Sequence, residues 1–261
     1  MKNETIRLNN LYTGYHVKGG NKVVAQNINA SLYDSELTCL LGVNGSGKST
    51  LLRTLSAFQP ALQGEIYLQN KKLNEYSDKE IAKKIGVVLT DRISVQNLLV
   101  EELVGLGRSP YTGFWGTLSK EDKEIVEDSI HEVGIDDLKG RMVSTLSDGE
   151  RQKVLISKVL AQQTPVIFLD EPTAFLDYPS KVDLLRLLRK LAHEMGKTIF
   201  LSTHDIELTL QVTDKVWLLD SGEVNIGTPV ELCNNGCFSK VFGREGMQFD
   251  YSSGILRVAK V

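Results

Sequence analysis

The sequence predicts one α/β domain built on a largely parallel sheet, with a helical subdomain inserted into it. The chain has 261 residues, near the size at which a single hydrophobic core stops growing. Over much of the chain, short apolar runs typical of strands alternate with segments of helical spacing, which favours a parallel sheet covered on both faces. Between residues 100 and 160 the spacing is helical, and no convincing strand interrupts it.

Composition and charge limit the class of protein further. Apolar residues make up 41% of the chain and charged residues 24%, enough to form a full core. The first residues lack the apolar run of a secretory signal, and no stretch approaches the ~18 apolar residues of a membrane span. A net charge of -3 argues against nucleic acid as a partner, and three sparse cysteines fit a reducing compartment. We therefore expect a cytoplasmic protein.

The elements expected in the core lie on both sides of the insertion. Residues 1–99 and 161–261 form the expected core, and 100–160 the helical subdomain. Strands are expected at 6–11, 24–32, 37–41, 64–68, 85–89, 166–169, 198–202 and 216–219, and helices at 48–57, 78–84, 181–194 and 206–212. Ser119 is an expected helix N-cap in the insertion, with the helix ending near Gly134, and residues 108–116 are expected to form a loop. Residues after Gly243 have only a weak pattern.

A glycine-rich segment follows the third expected strand and precedes a helix. It runs GVNGSGKST over residues 42–50, here called the phosphate loop. Glycines let successive N–H groups converge on phosphates, the helix start adds partial positive charge, and Lys48 adds a full one. Ser49 is placed to bind Mg²⁺. The candidate nucleotide-binding residues here are Gly42, Asn44, Gly45, Ser46, Gly47, Lys48, Ser49 and Thr50. The alternative is a glycine turn that only caps a helix.

Two carboxylates follow the buried strand expected at 166–169. Asp170 and Glu171 would lie at the carboxyl end of this strand, where open parallel sheets place their ligands. We expect Asp170 to hold a metal or its water and Glu171 to act as a general base on the attacking water. Taken alone, the pair favours an ordinary strand end before the turn at Pro172, but the phosphate loop elsewhere in the chain favours the ligand-binding interpretation.

A second candidate anion site begins another helix. In residues 146–153, here called the signature segment, Ser147 and Glu150 have the spacing of a capping box. Ser147 and the amides around Gly149 could also bind an anion at the helix start. With a phosphate loop already present, a second such site suggests a nucleotide shared between two subunits.

These motifs occur in the order seen in one family, and the chain resembles the nucleotide-binding subunit of ATP-binding cassette (ABC) transporters. The resemblance implies a P-loop NTPase core with an N-terminal antiparallel β part and an inserted helical subdomain. It also implies a head-to-tail homodimer that closes on two ATP molecules with Mg²⁺. Tyr15 would stack on adenine, His204 would contact the γ-phosphate and Asp177 would signal across the dimer. From the residues alone, Tyr15 and His204 are a loop or core aromatic and a helix-start histidine.

A second segment narrows the resemblance. Gly107-Arg-Ser-Pro-Tyr111, with Phe114, Trp115 and Gly116 after it, looks like the importer ATPases for iron-siderophore, haem and cobalamin uptake. This implies a membrane permease as partner, an indirect link to a periplasmic or surface substrate-binding protein, and a place on the inner face of the cell membrane. The alternative is a proline-containing loop packed with aromatics.

Two positions depart from the family pattern. Thr90 stands where the family has a glutamine that meets Mg²⁺, so either Asp91 or Gln96 compensates or hydrolysis is slow without the permease. Asp148 stands where the signature has a glycine, and its carboxylate would repel a nearby phosphate. We expect Asp148 to cap the helix and face solvent.

The function expected from these features is that of a cytoplasmic ATPase subunit that binds MgATP, dimerises and drives a permease. One alternative is a soluble cassette protein that acts in cluster assembly or as a nucleotide-dependent switch. Another, motivated by Thr90, is a regulator that binds nucleotide without hydrolysing it.

Overall fold

The computed structural model describes residues 2–89, 97–113 and 115–243, together with the backbone of strands Met247–Asp250 and Ile255–Val258. Thr90, Asp91, Gln96 and Phe114, which the sequence analysis named, lie outside the described residues. Of the described residues, none belongs to a helix long and apolar enough to cross a bilayer.

Strands and helices alternate along most of the chain. The strands are β1 (Glu4–Val17), β2 (Gly20–Tyr33), β3 (Glu36–Leu41), β4 (Gln63–Leu68), β5 (Lys71–Lys72), β6 (Ile85–Val88), β7 (Val166–Asp170), β8 (Thr198–Ser202), β9 (Lys215–Asp220), β10 (Glu223–Gly227), β11 (Met247–Asp250) and β12 (Ile255–Val258). The helices are α1 (Lys48–Leu55), α2 (Asp78–Ile81), α3 (Val100–Gly105), α4 (Lys120–Val133), α5 (Asp148–Ala161), α6 (Tyr178–His193), α7 (Ile206–Val212), α8 (Pro229–Asn234) and α9 (Cys237–Phe242).

The central sheet is mainly parallel, as the sequence predicts. Its strand order is β10-β9-β3-β8-β7-β6, with parallel pairing from β9 to β6 and antiparallel pairing of β10 to β9. Every residue of β3, β7 and β8 is buried, which is why these strands read as continuous apolar runs. Their carboxyl ends share one edge, and the chain leaves that edge at Gly42, Glu171 and Thr203.

The N-terminal strands form a second, antiparallel sheet in the order β2-β1-β4-β5. β1 and β2 are 14 residues each, longer than expected, because their polar outer ends continue the pairing after the apolar alternation stops. This sheet and α1 enclose one hydrophobic core with the central sheet.

Helices α3, α4 and α5 pack together and share a second hydrophobic core with the other face of the central sheet. α4 begins after Ser119, which accepts a hydrogen bond from Asp122 N, and ends at Gly134 in a left-handed conformation, as expected. The division of the chain at residues 100 and 160 stays a prediction.

Some elements differ from the sequence-based expectation. The polar helix expected at 78–84 is only one turn long, Asp78–Ile81. The expectation included no element from 220 to 243, where β10, α8 and α9 occur, because short segments give too few repeats to reveal a period. β11 and β12 pair as an antiparallel hairpin.

Candidate functional site

The phosphate loop connects the buried strand β3 to α1, and its glycines are required by close packing. A Cβ added at Gly42 would lie 2.7 Å from both Leu219 O and Ser46 Oγ. Gly47 has a φ of 107°, and a Cβ there would overlap the side chain of Val24. Larger residues would therefore force this turn open.

The start of α1 is open to an anion. Its N-cap residue, Gly47, has no side chain with which to cap the helix, and the first turn of the helix contains no acidic residue. Among the described residues, buried Ser46 Oγ has no hydrogen-bond partner, and Asn44 and Gly45 are exposed. Unused backbone N–H groups at a helix start are a general feature of phosphate sites.

Lys48 supplies the positive charge beside this helix start. Its side chain is buried and donates to Gly42 O (2.9 Å) and Val43 O (3.3 Å). Burial lowers the pKa of Lys48, and the carboxylates of Glu171 and Asp170 partly oppose that shift. The ammonium is thus held next to the loop backbone and near both carboxylates.

Ser49 and Asp170 lie side by side and fit a magnesium ion. Ser49 Oγ donates to Asp170 Oδ1 at 3.1 Å, and Ser202 Oγ donates to the same atom at 2.6 Å. A hydroxyl and a carboxylate are hard oxygen donors, and Mg²⁺ in nucleotide sites commonly takes only one or two protein ligands. The third predicted ligand, Thr90, lies outside the described residues.

Glu171 and His204 form a second pair at the same sheet edge. Glu171 Oε2 lies 3.7 Å from His204 Nδ1, and both side chains are partly exposed. Glu171 has a φ of 46°, a strained conformation for a non-glycine residue that is often found at functional sites. Its backbone N–H donates to Ser202 O and Ser202 Oγ, which fixes this turn.

Two supporting groups were not found by sequence reasoning. Ser202 binds Asp170 and Glu171 at once. Asp205, next to His204, accepts hydrogen bonds from Thr173 (2.7 Å) and Lys181 (2.9 Å). Burial would raise the pKa of Asp205, but these hydrogen bonds outweigh it and hold the pKa below its ordinary value. The available signal was the position of Ser202 and Asp205 at the end of β8, beside the end of β7.

Tyr15 lies next to the phosphate loop. The residue is 43% exposed, and its hydroxyl is 2.7 Å from Thr50 Oγ1 at the start of α1. An exposed ring held beside a candidate phosphate site can stack on a flat ligand. The predicted residues Tyr15, Lys48, Ser49, Asp170, Glu171 and His204 are therefore linked in one region.

Ser147, Gly149 and Asp177 form a separate group at the starts of α5 and α6. Ser147 caps α5 in a capping box with Glu150, and Asp177 caps α6 by accepting from Ser180 N. Gly149 lies close to α6, since a Cβ added at Gly149 would be 3.3 Å from Ser180 Oγ. Within one copy these residues serve their own helices.

Asp148 only partly follows the expectation. It faces solvent, as expected, and lies 3.3 Å from Arg151. It does not cap α5, because Ser147 occupies the N-cap and Asp148 is the first residue of the helix. An acidic residue at this position is favoured by the helix dipole.

Comparison with known proteins identifies the family of this chain. The family model described as ABC transporter matches residues 25–174. An uncharacterized ABC transporter ATP-binding protein of Methanocaldococcus jannaschii is 41% identical over 84% of this chain and 74% of its own. The ferric enterobactin transport ATP-binding protein FepC of Escherichia coli is 35% identical over 88% of this chain and 86% of its own.

Solved structures agree with these relatives. CbiO1 of Clostridium perfringens, part of the ABC transporter complex CbiONQ, has a TM-score of 0.78 at 29% identity and covers 91% of this chain and 94% of its own. A dimeric ATP-binding cassette in a post-hydrolysis state, bound to ADP and phosphate, has a TM-score of 0.74 at 28% identity, over 86% of this chain and 98% of its own.

Proposed function

This chain belongs to the ATP-binding subunits of ABC transporters, and from that premise we propose that it powers the import of an iron-siderophore, haem or cobalamin type substrate. Subunits of this family are ATPases that dimerise and work with membrane permeases. The observation that carries the ATPase part of this proposal is that Ser49 of the phosphate loop lies with Asp170 and Glu171 at one edge of the central sheet.

The proposed roles in binding follow from the charges and donors at that edge. Lys48 and the amides of the phosphate loop hold the phosphates of ATP, and Tyr15 stacks on adenine. Ser49 and Asp170, with Thr90 as a further candidate, hold Mg²⁺. When bound, this ion neutralises charge on the phosphates. Asp170 is kept in place by Ser202.

The proposed role of Glu171 is that of general base. Its carboxylate accepts a proton from the water that attacks the γ-phosphate, and His204 contacts that phosphate. The pairing of Glu171 with His204 and the anchoring of Asp205 by Lys181 and Thr173 support these roles. The anchored Asp205 restricts the backbone next to His204.

The second side of each nucleotide is proposed to come from another copy of the chain. Ser147 and Gly149 of one copy approach the γ-phosphate held by the phosphate loop of the other, and Asp177 contacts the opposing site. The exposure of Ser147 and Asp177 supports this arrangement. Loss of the γ-phosphate on hydrolysis would remove the anion that holds the two copies together.

The proposed setting is the cytoplasmic face of the cell membrane, where the helical subdomain contacts a permease served by a substrate-binding protein outside the membrane. Nucleic acid has no proposed role. Relatives named as ferric enterobactin transport and petrobactin import ATP-binding proteins support the substrate class. They do not favour the alternative of a soluble protein for cluster assembly or switching.

Substitution of the general base tests the ATPase mechanism. We expect Glu171→Gln to lower steady-state ATP hydrolysis about 100- to 10,000-fold while an ATP-bound dimer accumulates, measured by phosphate release and by light scattering. Glu194→Gln, an exposed carboxylate at the end of α6, is the matched control and should hydrolyse ATP normally. Normal turnover in Glu171→Gln would contradict the assigned role.

Uptake measurements test the substrate class. A strain that lacks this chain should lose uptake of one labelled compound among a ferric siderophore, haem and cobalamin. The wild-type chain should restore that uptake, and Glu171→Gln should not. Undiminished uptake of all three compounds in the deleted strain would contradict the proposed substrate class without affecting the ATPase assignment.

A further inference from the structure

A buried guanidinium group, that of Arg108, joins α4, the carboxyl end of α5 and Tyr111. Arg108 is only 4% exposed. Its Nε donates to Asp122 Oδ1 (2.8 Å) on α4, and its Nη1 donates to Ala161 O (2.8 Å) and Gln163 Oε1 (2.9 Å) at the end of α5. The guanidinium lies 4.0 Å from the centre of the Tyr111 ring. Arg108 therefore holds the carboxyl end of α5 against the start of α4.

The residues around Arg108 also pack on the last turn of α5. Gly107 lies so close that an added Cβ would be 2.2 Å from Lys158 O, so no larger residue fits there. Tyr111 Oη donates to Gln162 O at 3.0 Å. Residues 107–111, which overlap the loop expected at 108–116, therefore form a clamp on one end of α5.

The clamped end of α5 also contacts the central sheet. Gln162 Nε2 donates to Ala82 O (2.5 Å) and Ile85 O (3.2 Å), where β6 begins. A Cβ added at Gly86 of β6 would lie 2.4 Å from the side chain of Val159 on α5. The end of α5 is thus the point where the clamp, α4 and the sheet meet.

The other end of the same helix carries the signature segment. α5 has 14 residues and is therefore about 20 Å long. If its clamped end is fixed, a rotation of about 5° moves the opposite end by about 2 Å. Misplacement by about 1 Å can cost a binding or reacting group about 100-fold.

We propose that Arg108 is a positioning residue, which sets the direction of α5 and so places Ser147 and Gly149 against the nucleotide of the other copy. This inference rests on the proposed function, because it requires the nucleotide-linked dimer. Arg108 touches no nucleotide itself and acts through the last turn of α5 and the carboxylate of Asp122.

The chemistry of the contact fits a role in geometry. Replacing a buried ion pair by apolar side chains is often neutral for stability, so stability alone gives little reason for a charge here. The planar fork of arginine fixes the direction of its partners, and the point charge of lysine does not. Asp122 is fixed on its other oxygen by Ser119 N and Ser119 Oγ.

The test compares dimer formation with nucleotide binding in the Glu171→Gln background. Arg108→Lys keeps the charge but loses the fork, and Tyr111→Phe removes only the hydroxyl that binds Gln162. We expect the ATP concentration for half-maximal dimerisation, measured by light scattering, to rise at least about tenfold for Arg108→Lys and about threefold for Tyr111→Phe. ATP affinity of the dilute monomer should stay within about twofold, because the phosphate loop is untouched.

Lys139→Met is the matched control, since it breaks ion pairs with Glu127 and Asp136 in the same subdomain and should leave dimerisation unchanged. Wild-type dimerisation in folded Arg108→Lys would overturn the inference, and so would an equal shift in the control. If Arg108→Lys fails to fold, unchanged dimerisation of Tyr111→Phe overturns it. Failure of Glu171→Gln itself to dimerise with ATP would instead overturn the proposed function.

Discussion

The starts of α1 and α5 are two candidate anion sites that the chain prepares in opposite ways. α1 begins at the phosphate loop, where its N-cap residue, Gly47, has no capping side chain and its first turn contains no acidic residue. α5 begins with a complete capping box, and its first turn contains Asp148 and Glu150. Arg141 pairs with Glu150, and Arg151 pairs with Asp148. Among the described residues, the start of α1 has positive charge beside it and no side chain that accepts from its first N–H groups, whereas the start of α5 is capped by its own side chains.

This difference implies unequal contributions to ATP binding. The start of α1, with Lys48 beside it, can hold phosphate within one copy of the chain. In the proposed dimer, the start of α5 would accept phosphate next to two carboxylates, so we expect its contribution to ATP affinity to be small. A weak contact of this kind suits a dimer that closes and reopens. A ligand shifts the equilibrium between the open and closed states only by the difference in its affinity for them.

Removing the charge at α1 should have the largest effect. We expect Lys48→Ala to weaken ATP binding at least about 100-fold, because the loss of a buried charge from a binding site typically costs several kcal/mol. Titration calorimetry with ATP measures the change. ATPase activity should fall in parallel. ATPase activity in the wild type that is lost in Lys48→Ala would also exclude the alternative of a regulator that binds nucleotide without hydrolysing it.

Lys197→Ala provides the control for Lys48→Ala. Lys197 is partly buried and, like Lys48, donates to a backbone carbonyl, here Thr164 O; burial lowers the pKa of both lysines. It lies at the opposite, amino end of β8, so ATP affinity should be unchanged. Equal losses in the two variants would mean that the phosphate loop has no special role.

The two sites also differ in how far the sequence predicts them. The phosphate loop and the pair Asp170 and Glu171 are readable because each is contiguous and sits at a strand end. The contacts that orient them, such as Ser202 to Asp170, join different strands and leave no local pattern. Arg108 was placed in a loop for the same reason, since its partners lie 14 and 53 residues away in sequence. At α5, the sequence allowed both a capping box and an anion site, and the structure has the capping box.

A smaller change should make the α5 site more like the α1 site. Asp148→Asn removes a carboxylate from the proposed path of the γ-phosphate. In the Glu171→Gln background, we expect the ATP concentration for half-maximal dimerisation to fall about two- to fivefold at low salt and less at high salt. Folding stability should fall by about 0.3–1 kcal/mol, because a favourable charge at the helix start is lost.

Asp148→Asn should thus promote dimerisation while it lowers folding stability, and these opposite effects separate the repulsion of phosphate by Asp148 from its stabilisation of α5. Glu121→Gln, in the first turn of α4, is the control, because it loses a similar helix-start charge but should leave dimerisation unchanged. If Asp148→Asn weakened dimerisation instead, the carboxylate would have to support the contact between copies, and the contrast between the two helix starts would be wrong.

The smallest expected effect is on the pH dependence of the melting temperature. Hydrogen bonds from the backbone and side chain of Ser147, with a contribution from Arg141, hold the pKa of Glu150 below its ordinary value of 4.5. A lowered pKa in the folded state means that this group stabilises the fold above pH 4.5 and loses that contribution as the pH falls through its folded-state pKa.

Glu150→Gln keeps an oxygen acceptor without a titrating charge, so its melting temperature should fall less steeply than that of the wild type below pH 4.5. Helix caps contribute about 1 kcal/mol to stability. The difference in melting temperature between the wild type and Glu150→Gln should therefore shrink by only about 2–4 °C on acidification. Parallel curves would show that the capping box at α5 does not depend on the charge of Glu150, and the start of α5 would then differ less from the start of α1 than its carboxylates suggest.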